Sequence, residues 1–414
     1  MSVDIGQIAS RYPGRGRRGS LDAVAELRAA LPAHPEPPAI RVVGTNGKSS
    51  TAAYLSRLLT AAGLRTGSYT SPHLSSWGER VRIDGVACDE EELAETLEEV
   101  GRLAVGVDRR ELRFFDVLTL AAELIFARHE AAAVVCEAGI GGRLDAVRLL
   151  RPRLTLFTGV ALDHAEILGA ELEQILREKL LLAPAGGDVL ASRLPPDLER
   201  RAEELARECG FGLGWVDEEA EPLPAAAAAL AGPLRRSLAI AIAGRRWAER
   251  GLGAPPLGSE ELERLDLAVP GRCERGRWDG VPYLLDSAHN RAAWQGLVAE
   301  LEREPLGGGG SRLAAVASLS PDKERVALAE ALASLRQLDL VLATRHHQLP
   351  AVDPGDLAAD LRRAGLRTAV EDDPLAAVGL ARARARELGG GVLVLGSTHL
   401  VAEVRRRMVG AGQL

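Results

Sequence analysis

The chain of 414 residues has few cysteines and few aromatic residues. Its four cysteines (Cys88, Cys136, Cys209 and Cys273) are far apart and lack a CxxC spacing. This excludes a sequence-encoded zinc motif or disulfide framework and fits a reducing compartment. Aromatic residues make up 3% of the chain, which we interpret as a compositional bias rather than a functional signal.

Long apolar runs are also missing. No window approaches the roughly 18 apolar residues that a membrane span requires, and the first residues lack the apolar segment of a signal peptide. We therefore expect a cytoplasmic protein with no membrane partner. The formal net charge of −7 argues against a nucleic-acid partner. We expect small-molecule substrates and a monomer.

The sequence favours an α/β fold with two domains. Hydrophobic residues make up 46% and charged residues 26%, which is typical of a globular protein. A chain of 414 residues is too long for a single ordinary hydrophobic core. Short apolar runs alternate with helical patterns, first up to about residue 184 and again after residue 270. We predict an ATP-binding domain at residues 1–269 and a smaller Rossmann-like domain at 270–414. The weak strand signals at 184–256 predict only peripheral helices and loops there.

The strongest local motif is a glycine-rich loop between a predicted strand, 39–43, and a predicted helix, 49–62. It reads Gly44-Thr45-Asn46-Gly47-Lys48-Ser49-Ser50. Phosphate oxygens need several converging backbone N–H donors, and glycine lets the chain approach closely. The helix adds its positive N-terminal end, Lys48 reaches the terminal phosphates, and the Ser49 hydroxyl suits Mg²⁺. The loop predicts nucleotide binding, although it is shorter than the common Walker motif.

This short loop resembles that of the Mur ligase superfamily, and other motifs are similar to folylpolyglutamate synthase/dihydrofolate synthase. These motifs occur in the family's order across roughly residues 20–405. They are Tyr69-Thr70-Ser71-Pro72-His73-Leu74 with Glu79-Arg80-Val81, then Phe114-Phe115-Asp116, Glu137 to Ala146, Leu162-Asp163-His164 to Lys179, Pro270-Gly271-Arg272, Asp286 to Asn290, and Gly396-Ser397.

The resemblance implies a P-loop Mur-ligase-like domain followed by a Rossmann-like ligase domain. It implies an ADP-forming ligase that activates a folate or dihydropteroate carboxylate as an acyl phosphate and joins it to glutamate. It further implies ATP and two Mg²⁺ ions as cofactors, with Ser49, Ser71 and Glu137 on one ion and His164 on the second. Lys179 corresponds to a lysine that the family carbamylates. Lys48, Glu137, His164 and Lys179 are thus the implied catalytic residues.

The resemblance also implies two sets of binding residues. Arg272 and Asp286 join the loop in nucleotide binding. The implied substrate-binding residues are Phe114, Phe115, Asp116, Leu144, Asp145, Ala146 and His289. Simpler interpretations remain open: both phenylalanines can be core residues, Ser71 a turn residue, Glu137 a solvated loop residue, His164 and His289 structural, and Lys179 a surface lysine.

Some positions depart from the family pattern. Leu238 stands where the family has an adenine-contacting Asn, and Leu180 to Pro184 replace its usual residues after Lys179. These departures favour an alternative, a Mur-type ligase acting on a different carboxylate. A third hypothesis is a nucleotide-binding paralogue without activity, which the presence of Lys48 and Glu137 disfavours.

Overall fold

The chain divides into two compact units. A computed structural model describes residues 4–12, 20–308 and 310–410. The first unit contains the described parts of Met1–Leu230 with Arg235–Leu267, and the second contains Ala231–Leu234 with the described part of Ala268–Leu414. The sequence-based domain limits at residues 269 and 270 remain predictions and lie close to this division.

The first unit is built on an eight-stranded sheet. Its strands are β1 Ala39–Val43, β2 Thr66–Tyr69, β3 Val81–Ile83, β4 Val86–Ala87, β5 Ala133–Glu137, β6 Pro152–Phe157, β7 Asp188–Ser192 and β8 Gly212–Val216. Its helices are α1 Ile5–Ala9, α2 Asp22–Ala29, α3 Lys48–Ala61, α4 Glu90–Leu103, α5 Phe114–Arg128, α6 Ala165–Leu168, α7 Leu172–Leu180, α8 Pro196–Cys209, α9 Gly232–Gly251 and α10 Ser259–Glu263. The first residues of α9 belong to the second unit.

The strand order of this sheet is β4-β3-β2-β5-β1-β6-β7-β8. The pairs from β2 to β8 are parallel, and β3 and β4 add an antiparallel edge. The carboxyl ends of β1 and β5 are adjacent, the position at which parallel sheets bind ligands. The expectation that residues 184–256 hold only helices and loops is wrong, because β7 and β8 extend the sheet there. Their Gly, Ala, Ser and Asp residues have weak strand propensity, and pairing with β6 supplies what local sequence does not.

An unusual buried arginine stands in the central strand. The side chains of Ala39, Arg41 and Val43 lie on one face of β1, because successive side chains of a strand point to opposite faces. Ala39 packs in the apolar cluster of α4 and α5, and Val43 packs in that of α7 and α8. Arg41 lies between them, fully buried. Its guanidinium donates to the carbonyls of Leu182 at 2.8 Å and of Arg148 and Leu150 at 2.5 Å. Desolvation lowers the pKa of Arg41 to about 10, so the group remains charged at neutral pH.

The second unit has a six-stranded sheet of order β13-β12-β11-β14-β10-β9. Every pair is parallel except β9 with β10. The strands are β9 Glu274–Trp278, β10 Val281–Leu285, β11 Leu313–Ala317, β12 Leu338–Ala343, β13 Thr368–Val370 and β14 Gly391–Leu395. The helices are α11 Arg291–Arg303, α12 Arg325–Ser334, α13 Pro354–Arg363, α14 Pro374–Glu387 and α15 Thr398–Gly410.

Both sheets confirm the predicted α/β class. The strands are short and largely buried, and helices cover them, as expected for parallel strands that have no solvent face. In the described part of the chain, no helix combines the length and apolarity needed to span a bilayer.

Arg41 generates a stability prediction. Arg41→Met keeps the side-chain volume but leaves three carbonyl oxygens, those of Leu182 and Leu150 buried, without their donor, so we expect the free energy of unfolding to fall by about 3 kcal/mol. Urea denaturation measures this change. Arg153→Met is the matched control, because Arg153 is partly exposed and donates to a single carbonyl, that of Gly251. Equal stability of the two variants would contradict the role assigned to Arg41.

Candidate active site

The glycine-rich loop connects β1 to α3 and is held by the segment that follows β6. Thr45 N–H donates to the Gly159 carbonyl at 3.0 Å, and the Thr158 hydroxyl donates to the Asn46 carbonyl at 2.6 Å. A Cβ on Gly44 would lie 2.0 Å from Thr158 Oγ1, so only glycine fits there. Gly47 has φ 85° and caps α3 without a side-chain acceptor. The loop therefore presents backbone N–H groups and a positive helix end to an anion.

Two lysines meet at one carbonyl in this loop. Lys48 Nζ donates to the Gly44 and Thr45 carbonyls at 3.2 and 3.0 Å. Lys179 Nζ reaches from α7 to the same Gly44 carbonyl at 2.9 Å. Lys179 is only 4% exposed, which does not fit a plain surface lysine. Burial, with the charge of Lys48 as a second cause, lowers the pKa of Lys179 to about 7. A large fraction of this side chain is thus a neutral amine near pH 7.

A buried carboxylate links the loop to its neighbours. Glu137 ends β5 next to β1 and is 2% exposed. One of its oxygens accepts from the Ser49 hydroxyl at 2.9 Å, and the other accepts from Ser71 N–H at 3.0 Å. The structure therefore brings together three of the predicted metal ligands, Ser49, Ser71 and Glu137. Glu137 is not a solvated loop residue.

His164 has a different environment. It precedes α6 in the left-handed region, with φ 51°. Its ring nitrogens lie 3.9 Å from Asp163 Oδ1 and 3.8 Å from Glu166 Oε1. Within residues 4–12, 20–308 and 310–410, no three His, Cys, Asp or Glu side chains converge to hold a metal ion. The donors present still suit Mg²⁺, since this ion binds through one or two carboxylates and takes its remaining ligands from phosphate and water.

Asp163 was not among the predicted site residues, yet its charge acts on Lys179. Its negative charge raises the pKa of Lys179 and so opposes the effect of burial and of Lys48. Asp163 and Lys179 are separated by 16 positions, and the fold places the acid where its charge acts on the amine. No sequence signal indicated this pairing.

The loop between β5 and β6 rests on α7. A Cβ on Gly142 would lie 2.6 Å from the Lys179 carbonyl. Arg143 forms an ion pair with Glu178 at 3.0 Å, and Arg143 N–H donates to the Glu178 carbonyl at 2.8 Å. These contacts fix the helix that carries Lys179 against the loop that carries the predicted substrate residues.

The predicted substrate residues divide into two kinds. Asp145 is buried and accepts from Gly139 N–H at 2.8 Å and Val147 N–H at 3.0 Å, so it shapes its own loop. Asp116 likewise accepts from Arg113 N–H at 2.7 Å at the start of α5. Ala146 is a core residue, whereas Leu144 is partly exposed and can contact a ligand.

An aromatic cluster lies at the start of α5. Phe114 and Phe115 are partly exposed and pack on the core. Phe115 contacts the Tyr69 ring at a centroid distance of 5.4 Å, and Phe114 contacts the Trp77 ring at 5.3 Å. The His73 ring lies 4.4 Å from Trp77. Edge-to-face rings of this kind form an apolar wall for a flat ligand. Trp77 was absent from the predicted site, although its motif was recognised.

The remaining predicted residues lie in the second unit. The Asp286 carboxylate accepts from the N–H groups of Cys273 and Ala288, each at 2.7 Å, so it organises the turn after β10. His289 is partly exposed, and its Nδ1 lies 2.8 Å from the Ser287 carbonyl. Arg272 is partly exposed in the turn before β9. Their roles in ligand binding remain predictions.

Comparison with known proteins defines the class. Residues 271–398 match the family model described as Mur ligase, glutamate ligase domain. This match covers most of the second unit, and the first unit carries the glycine-rich loop described above.

The chain is similar to several proteins named folylpolyglutamate synthase/dihydrofolate synthase. A probable bifunctional folylpolyglutamate synthase/dihydropteroate synthase of Halobacterium salinarum is 32% identical over 95% of this chain, which spans half of that relative's length. Escherichia coli FolC in complex with DHPP and ADP has a TM-score of 0.84 at 25% identity, covering 99% of this chain and 97% of that one. The Yersinia pestis bifunctional folylpolyglutamate synthase/dihydrofolate synthase with AMPPNP and Mn ion has a TM-score of 0.79 at 26% identity, covering 99% and 97%. The expected family resemblance and two-domain Mur-ligase fold are confirmed.

The pKa of Lys179 predicts a pH dependence of stability. The native pKa is about 7, whereas the unfolded chain titrates at the ordinary 10.5. Between these values the unfolded state binds more protons, so the free energy of unfolding rises with pH. We expect the stability of the wild type relative to Lys179→Met to rise between about pH 7 and 10.5. Urea titrations in CO₂-free buffer measure it, and a difference that stays flat with pH would contradict the lowered pKa.

Proposed function

We propose that this protein is an ATP-dependent ligase that joins glutamate to the carboxylate of a folate or dihydropteroate. The observation that carries the proposal is the shared carboxylate of Glu137, bonded to both Ser49 and Ser71 beside the Gly44–Lys48 loop. This arrangement gathers oxygen donors for a divalent cation next to a phosphate-binding loop. The bound ADP, AMPPNP and Mn ion of the similar structures support a nucleotide and a divalent ion as cofactors.

The proposed reaction has two steps. A carboxylate oxygen of the acid attacks the γ-phosphorus, and the bond between that phosphorus and the β,γ-bridging oxygen breaks, which releases ADP. The neutral amine of glutamate then attacks the acyl carbon, the carbon–oxygen bond to phosphate breaks, and the nitrogen loses a proton. In both steps the protein positions the reactants and neutralises charge rather than supplying a nucleophile.

The residues of the first unit have distinct roles in this scheme. The backbone N–H groups at Gly44–Ser49 and the Lys48 ammonium bind the phosphate oxygens. Ser49, Ser71 and Glu137 would hold one Mg²⁺, and His164 would hold a second. When bound, the ions supply Lewis-acid stabilisation of the charge on the transferring phosphoryl group. Phe114, Phe115 and Leu144 would contact the flat ring of the acid.

Lys179 is proposed to carry a carbamate. A neutral lysine amine adds to CO₂ and loses a proton, which exchanges an ammonium for an anion that can ligate metal. Burial and the lowered pKa of Lys179 supply the neutral amine. In the alternative interpretation, Lys179 stays unmodified and its amine donates to the Gly44 carbonyl.

Cytoplasmic location and a monomeric state remain predictions.

One observation favours a second candidate, a Mur-type ligase acting on a different carboxylate. Leu238, at the position of the family's adenine-contacting Asn, is fully buried in α9 and offers no polar contact. The base contacts of the nucleotide therefore differ from the family pattern, which is compatible with a divergent substrate set.

Nucleotide turnover tests the function. We expect ADP formation by purified protein only when a pteroate or folate, glutamate, ATP and Mg²⁺ are all present. Lys48→Ala should reduce this turnover about 100- to 1000-fold, because a charge on the transferring phosphoryl group loses its partner. A coupled ADP assay with an unchanged circular dichroism spectrum measures it. Turnover with another acid and none with folates would support the second candidate instead.

The carbamate has its own test. The chain contains only three lysines, Lys48, Lys179 and Lys323, so lysine adducts are few and assignable. We expect one carbamate carbon signal in NMR spectra of protein incubated with ¹³C-bicarbonate, absent in Lys179→Arg and present in Lys323→Arg. A signal that persists in Lys179→Arg, or no signal at all in the wild type, would contradict carbamylation of Lys179.

A further inference from the structure

Arg80 is a cation beside the candidate site for which neither the motif nor the comparisons give a role. It ends the short helical turn Trp77–Arg80, directly before β3. Its carbonyl accepts from Thr70 N–H at 3.0 Å, which places its backbone next to Ser71. Ser71 N–H in turn donates to Glu137. The arginine is therefore fixed at the edge of the proposed metal and phosphate site.

The surrounding loop fixes the orientation of the guanidinium. Glu79 accepts from the N–H groups of Leu74, Ser75 and Ser76 at 2.9, 2.9 and 3.1 Å, which closes the loop before Arg80. Arg80 Nε donates to His73 Nδ1 at 2.9 Å. The guanidinium carbon lies 4.7 Å from the centre of the Trp77 ring. The plane and the Nε edge of the group are thus held by the protein.

The Nη edge of the guanidinium forms neither an ion pair nor a hydrogen bond with a described residue. Among residues 4–12, 20–308 and 310–410, no carboxylate lies within ion-pair distance of Arg80, and its Nη1 and Nη2 groups make no hydrogen bond there. The side chain is partly exposed, so a ligand can reach it. Desolvation lowers its pKa, while the neighbouring Tyr69 and Glu137 oppose that effect. The Nη1 and Nη2 groups of a positioned guanidinium can donate two parallel hydrogen bonds to the two oxygens of a carboxylate.

The location of the fork indicates which carboxylate it would bind. The guanidinium lies over Trp77, whose ring contacts His73 and Phe114 in an aromatic wall. Glu137, which accepts from Ser49 of the glycine-rich loop and from Ser71 N–H, lies near enough for its charge to act on Arg80. A ligand that spans these two features has a flat ring at one end and a carboxylate next to the transferred phosphoryl group.

We propose that the Nη1 and Nη2 groups of Arg80 bind the carboxylate that becomes phosphorylated. The ring of the same acid would stack on the aromatic wall of Trp77, His73 and Phe114. This inference rests on the proposed function and adds a catalytic residue to it. The fork would hold both oxygens of the acid before phosphoryl transfer. It would retain the carbonyl oxygen of the acyl phosphate afterwards, which orients the acyl carbon toward the amine.

The decisive test compares an acid with its amide. We measure dissociation constants of pteroic acid and of its primary carboxamide, with Mg²⁺ and ADP present, for the wild type and for Arg80→Met. We expect the wild type to favour the acid by about 10- to 100-fold and the variant to lose that preference, because only the acid can accept two charge-assisted hydrogen bonds. A variant that discriminates as well as the wild type would overturn the proposal.

A matched control separates this role from a structural one. Arg82→Met removes a guanidinium two residues along, where Arg82 donates to the turn carbonyl of Gly85 at 3.1 Å. We expect it to leave the preference for the acid unchanged. Arg80→Met should retain the wild-type affinity for ADP and a melting temperature within a few degrees, since no ion pair is lost. Equal losses of ADP binding, acid binding and melting temperature would show that Arg80 only braces the loop, and would refute the proposal.

The two proposals fail in different ways. Wild-type ADP formation with a different acid contradicts the folate assignment, and the same comparison is then made with that acid and its amide. If Arg80→Met keeps the wild-type turnover on the acid that the enzyme uses, the result contradicts the role of Arg80 and leaves the proposed function intact. A wild type without any acid-dependent turnover contradicts both.

Discussion

The site depends on the carboxylate of Glu137, which bonds Ser49 of α3 through one oxygen and the backbone of Ser71 through the other. This single group joins three segments: the end of β5, the start of α3 and the loop after β2. A carboxylate that is 2% exposed is stable only when its oxygens are paired. The pairing holds the start of the loop that continues to Trp77 and Arg80, so Ser49, Ser71 and the aromatic wall are all positioned through Glu137.

The second constraint is the sharing of the Gly44 carbonyl by Lys48 and Lys179. The chain has only three lysines among 51 basic residues. Arginine cannot lose its proton at physiological pH, whereas a buried lysine can. A lysine rather than an arginine at 179, in a chain so rich in arginine, fits chemistry that needs a neutral amine. Burial and the charge of Lys48 produce that amine, and Asp163 limits the shift.

The glycine-rich loop and the strands around it were predictable because they depend on local sequence. The loop at Gly44–Ser49 needs glycine where Thr158 leaves no space for a side chain, and such a requirement is visible as a motif. The strands around it are apolar and bounded by turns. In contrast, β7 and β8 were missed because their stability comes from pairing with β6 rather than from the propensities of their own residues.

Sequence alone determined the fold class, the glycine-rich loop between strand and helix, and the set of acids, hydroxyls and lysines that form the predicted site. Tertiary structure decided which of these groups are neighbours. It paired Asp116 and Asp145 with backbone N–H groups, placed Asp163 where its charge acts on Lys179, and bonded Arg80 Nε to His73. The physical reason is that hydrogen bonding and desolvation depend on distances between segments far apart in the chain, and no local pattern encodes those distances.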